Sequence, residues 1–149
     1  MRLSLILAIA FALAIMADLS NTVAHEHATG VVKERMDLME GMAKRMKAIR
    51  ERIEAKRDLG LIKADAEAIA SSAPHVVHLF PPGSSQRPTE ARSTIWRNWS
   101  DFERWARTLE AESKKLSETR MDDAVALGAQ VRAVTQACGG CHEKYRVKR

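Results

Sequence analysis

From residue 29 to residue 145 the apolar side chains of this chain recur three and four positions apart, and strand signals are weak throughout. That spacing lines them up on one stripe of a 3.6-residue helix, so the chain is expected to bury helical stripes against one another. A first helix is predicted over 29–57, with Val31, Arg35, Leu38, Met39, Met42, Met46, Ile49 and Ile53 on one side and Gly60 as a stop just beyond it. A second is predicted over 61–73, with Ile62, Ala66, Ile69 and Ala73 inward and Pro74 ending it. Residues 74–90 read as a loop, because Pro81-Pro82-Gly83-Ser84-Ser85 and Pro88 disfavour helix. A third helix over 93–117 buries Ile95, Trp99, Phe102, Ala106, Leu109 and Leu116. The fourth starts near Met121 and carries Ala124, Leu127, Val131, Thr135, Cys138, His142 and Tyr145 on one side. The short connection before it favours antiparallel neighbours, and the expected fold is all-α, an antiparallel up-down four-helix bundle.

The fourth helix contains the chain's only two cysteines, in the run Cys138-Gly139-Gly140-Cys141-His142. C-x-x-C-H is the attachment signature of a c-type haem. On a helix, positions i and i+3 share a face, so both thiols can reach the vinyl groups of one porphyrin and form thioethers. The imidazole at i+4 falls on that face too, and histidine is a usual proximal ligand of haem iron. The stripe sets His142 at the angle of Ala124 and near Val131, so a haem c held covalently by Cys138 and Cys141 would enter the core side of this C-terminal helix. Each glycine costs roughly 1 kcal/mol of helix stability relative to alanine; a small residue there suits close approach to the porphyrin edge. A redox dithiol would be expected near a βαβ pattern, which is missing. Zinc would need four ligands. A structural disulfide is the remaining alternative.

Residues 1–24 read as a signal peptide. Arg2 supplies the positive start, 3–16 is apolar apart from Ser4, and Thr22-Val23-Ala24 offers small residues where a signal peptidase reads. Cleavage is expected after Ala24. The alternative, an uncleaved membrane anchor, is opposed by Asp18 and Asn21, which interrupt the stretch early. Covalent haem attachment in bacteria takes place outside the cytoplasm, so the leader and the motif agree on a periplasmic location. What remains, 25–149, is one haem domain with a core large enough to fold alone. It holds no further membrane span. Its net charge of +5 is spread along polar helix faces, with no arginine–lysine block and interleaved aromatics of the kind that binds nucleic acid. The charge gives solubility and some attraction for acidic protein partners.

A four-helix chain with its C-x-x-C-H at the C-terminal end resembles the class II c-type cytochromes, the cytochrome c prime family. Tyr145-Arg146 after the motif is similar to the family's usual ending. Arg35-Met36-Asp37-Leu38-Met39, continuing to Ile49, is similar to its first helix, and Leu79-Phe80-Pro81 followed by Ile95-Trp96 has a counterpart in its middle. The resemblance implies that Cys138 and Cys141 bind the haem vinyls and that His142 is the proximal ligand. It implies that Arg35 meets a haem propionate, that Met39 stands at the distal position, and that Arg146 lies near the proximal face. Members with a methionine thioether on the iron are low-spin, and a His/Met pair suits electron transfer. Members with an aliphatic or aromatic distal residue stay five-coordinate and bind NO or CO. Relatives occur as monomers or homodimers.

Three functions follow: an electron carrier making brief contacts with redox-partner proteins, a gas-binding protein with an open distal site, and a peroxidase-like enzyme. The last lacks a distal histidine–arginine pair. Read alone, a methionine stripe such as Met39's is usually core, and Met36 and Met42 are alternative ligands. His75 and His78 are further distal candidates, although such loops more often carry solvated histidines. Trp99 reads as core and Trp105 as a candidate for the haem edge. If cleavage falls after Ala24, the free amine, two backbone amides and the His27 imidazole of His25-Glu26-His27 could hold Cu(II) or Ni(II) in a square plane. A frayed terminus is the simpler reading.

Overall fold

The computed structural model describes residues 28–148; the expected leader 1–24 and His25-Glu26-His27 lie outside the described residues. Four long helices carry the fold: α1 (Gly30–Ala55), α2 (Leu61–Ser72), α5 (Trp99–Glu118) and α6 (Ala124–Tyr145). Single turns α3 (His75–His78) and α4 (Thr94–Arg97) lie between α2 and α5. No strand occurs among the described residues, and the architecture is the expected antiparallel four-helix bundle. No described helix is long and apolar enough to cross a membrane.

Three boundaries differ from the periodic reading. α1 stops not at Gly60 but at Lys56, which takes the left-handed conformation (φ 50°). The amides of Lys56 and Arg57 close back on the carbonyls of Ile53 and Arg52, so two otherwise orphaned acceptors are satisfied. Pro74 does not open a loop. It adopts helical backbone angles and begins α3, as a residue without an N–H can at a helix start. The third helix is broken at Asn98 (φ −123°, ψ 43°), whose side-chain amide bonds back to the Thr94 carbonyl at 3.2 Å. Such local bonds compete with the helical ladder. At the start of α6, the Asp123 carboxylate accepts from the amides of Val125 and Ala126, the usual N-cap arrangement.

The buried set contains Met42, Met46 and Ile49 of α1, Ile62, Ala66 and Ile69 of α2, Phe102, Ala106, Leu109 and Leu116 of α5, and Leu127, Val134 and Ala137 of α6. On α6 the expected stripe divides: Leu127 and Tyr145 are buried, Val131 and Cys138 half-buried, and Ala124, Thr135 and His142 exposed, while Val134 and Ala137 join the core. Phe102 links the far end of the bundle, with ring centroids 4.8 Å from Phe80 and 5.5 Å from Tyr145. α1 packs on α2, α2 on α5, and α5 on α6, while α1 and α6 make almost no close backbone approach.

Candidate functional site

The space between α1 and α6 is a cavity of about 880 Å³, part of it open to solvent. Met39, Met42, Ala43, Met46 and Arg50 form the α1 wall, and Thr135, Ala137, Cys138, Cys141 and His142 form the α6 wall. Phe102, Trp105, Ala106 and Leu109 of α5 close the back, with Ile69 and Val76 beside them. The α1 residues recur at helical spacing, so one straight face of that helix supplies a whole side. Cys138, Cys141 and His142 come together because they span one turn of α6. The lining is almost wholly apolar, which suits a flat, hydrophobic macrocycle with its polar groups at one edge.

The chemistry of the donors fits a haem better than the alternatives. Both thiols are free and half-buried. Burial pushes Cys141 up to about 11, with Cys138 adding to the shift. Burial raises Cys138 as well, against the nearby charge of Arg50. A redox dithiol needs a thiol held low, the reverse of this pair. No group of three or more histidine, cysteine or acidic side chains that could hold a metal ion occurs among the described residues. His142 keeps an exposed face, while desolvation on its cavity side, then the Arg146 charge, push its imidazole down against the pull of Glu90. A neutral imidazole is the form that ligates iron.

Three methionines, Met39, Met42 and Met46, reach the cavity, and Met36 does not. Met42 and Met46 belong to the buried core; Met39 is half-buried and packs against it. Arg35 does not line the cavity. It is 4% exposed. All five of its N–H groups go to the loop after α3: Nε and Nη2 to the Leu79 carbonyl, Nη1 to the Ser84 carbonyl and Thr89 Oγ1, and Nη2 also to Ser84 Oγ. The guanidinium also lies 3.8 Å above the Phe80 ring. A propionate contact would require it to release one of these bonds. Burial lowers it to about 10, so it stays charged at neutral pH.

Arg146 lies outside the cavity wall, with Nε on Glu90 at 2.6 Å, but its charge acts on His142 one turn back. His75 and His78 are exposed and away from the cavity. Trp96 anchors the loop by donating to the Phe80 carbonyl at 2.9 Å. Trp99 stacks obliquely on Phe102, and Trp105 is the tryptophan that reaches the cavity. Gly140 also has a neighbour on another helix that requires it to be small. A Cβ there would overlap Trp105 Cη2 and lie 2.7 Å from Cζ3, whereas Gly139 faces open space. Arg50 escaped the sequence reading. It continues the Met39–Met46 face, yet a charged residue drops out of an apolar stripe.

A family model described as cytochrome C′ matches residues 30–146. The chain is 29% identical over 122 residues to a cytochrome c-556 of Agrobacterium tumefaciens (strain II Chrys), covering 80% of this chain and 99% of that one. Its fold is similar to the cytochrome c′ from Rhodopseudomonas palustris, with a TM-score of 0.74 and 25% identity over 82% of this chain and 99% of the other. It is likewise similar to a nitric oxide complex of a variant cytochrome c prime from Alcaligenes xylosoxidans, with a TM-score of 0.70 and 26% identity over 80% and 94%.

Proposed function

The chain belongs to the cytochrome c′ family and is a haem c protein, and on that footing we propose that it carries single electrons in the periplasm, with His142 and Met39 as the residues that would ligate the iron. The observation that carries this reading is the placement of Met39. It sits half-buried on the cavity wall opposite the α6 motif, while Met42 and Met46 are held in the core. A half-buried side chain gives up less packing than a core one when it turns to a metal. When bound, the haem supplies a one-electron iron couple, and a histidine–thioether pair raises its potential.

The chain's own residues do the rest. Cys138 and Cys141 fix the ring to α6, His142 offers a neutral imidazole, and Phe102, Leu109 and Ala106 keep water from the back of the cavity. Arg50 places an exposed positive charge beside the opening. That suits short-lived contacts with acidic redox partners, which are small and charge-tuned. Export would depend on residues 1–24.

A second reading is supported by the nitric oxide complex of the Alcaligenes relative: Met39 packs over the ring and the distal side binds NO or CO. The optical spectrum of the ferrous protein separates the two. Sharp α and β bands that barely change under CO support the electron carrier. A broad high-spin spectrum that shifts under CO replaces it with the gas-binding protein.

A further inference from the structure

We infer that Trp105 is the positioning residue of this site, a wedge that sets how far the Cys138–His142 turn stands from the cavity. The inference rests on haem attachment at Cys138 and Cys141.

Two independent observations carry it. The first is steric. The outer edge of the Trp105 ring lies so close to Gly140 that a Cβ there would overlap Cη2 and lie 2.7 Å from Cζ3 and 3.0 Å from Cζ2. Gly140 separates the position after the first thiol from the second thiol, so the indole bears directly on the turn that holds both sulfurs. The same ring lines the cavity. A rigid aromatic cannot yield as a long flexible chain would, so the standoff of α6 is fixed by how far the ring's outer edge reaches.

The second is polar. Trp105 Nε1 is buried and has no hydrogen-bond partner. The polar heads of Trp96 and Tyr145 are both satisfied, by the Phe80 carbonyl and by Asp101. A buried unpaired N–H is costly, and a purely apolar side chain would not carry that cost. An indole kept there at that cost is a residue of the site, not a filler of the core.

The test is a double-mutant cycle on the haem-loaded protein, with Gly140→Ala, Trp105→Ala, both together, and Trp105→Phe as the gentler replacement. Intact mass is read first. A wild-type mass without haem overturns the attachment reading and leaves nothing for Trp105 to position. With haem present, Gly140→Ala is expected to broaden the ferrous α band and lower the midpoint potential, because a displaced α6 lets water toward the ring. In the Trp105→Ala background the same change should leave both readouts where they are. Trp105→Phe should fall between Trp105→Ala and wild type. Equal effects of Gly140→Ala in both backgrounds, or a wild-type potential and spectrum in Trp105→Ala, overturn the wedge.

Discussion

The carbonyl oxygen of Leu79 accepts from two nitrogens of Arg35 at once, Nε at 2.9 Å and Nη2 at 2.7 Å. This fork ties the second turn of α1 to a loop 44 residues later, and Ser84 and Thr89 extend the clamp along that loop.

Arg35→Ala is therefore expected to strand several loop acceptors and to cost about 2–4 kcal/mol of stability. Arg35→Lys should recover only a minor part, since an ammonium cannot reproduce a planar five-donor fork. Urea unfolding checks both, and equal stability of the three proteins would refute the clamp.

Met39 and Met42 should respond differently to truncation. Met39→Ala is expected to turn a low-spin ferrous spectrum into a high-spin one that binds CO, with little change in stability. Met42 is 7% exposed; its truncation should cost about 2–4 kcal/mol through the cavity left in the core, with the spectrum retained. Paired optical and unfolding measurements on the two variants read both effects.

Tyr145 donates to Asp101 Oδ2 at 2.6 Å, and burial, then Cys141, raise its phenol above the usual value of 10. The folded protein thus holds this proton more tightly than the unfolded chain. Its contribution is complete below pH 10 and is lost as the pH climbs through the raised value. Tyr145→Phe should cost about 1–3 kcal/mol at neutral pH and should lack that alkaline decline. Unfolding free energies at a series of alkaline pH values test the sign.

Ser113 is fully buried on α5 with an unpartnered hydroxyl. Ser113→Ala removes that unsatisfied group and improves helix propensity, so it should stabilise by about 1 kcal/mol. A higher urea midpoint at unchanged slope is the expected result.

Local periodicity made the bundle legible. The α1 stripe from Arg35 to Ile49 and the one-turn spacing of Cys138, Cys141 and His142 needed no distant information. What stayed hidden depends on residues far apart in the chain. Arg35 reads as inward-facing, but nothing near it announces Leu79 and Ser84 as its acceptors. Gly140 reads as small, but the ring that requires it is Trp105 on another helix. Lys56 took a left-handed turn that glycine ordinarily fills, since two amide bonds offset the strain. Arg50 shares a face with Met39 and lines the cavity, but an apolar periodicity does not mark a charged side chain.

α1 and α6 look at each other across open space, while every other long helix has a packed neighbour on either side. A haem in that cavity would act as the keystone of the ring of helices, joining the first and last long helices, whose backbones make almost no close approach. Closing a loop of roughly a hundred residues by contact alone is entropically expensive; a covalently tethered group carried in by α6 makes the closure intramolecular. Maturation of the protein and completion of its tertiary structure would then coincide, and resistance to proteolysis should appear together with colour.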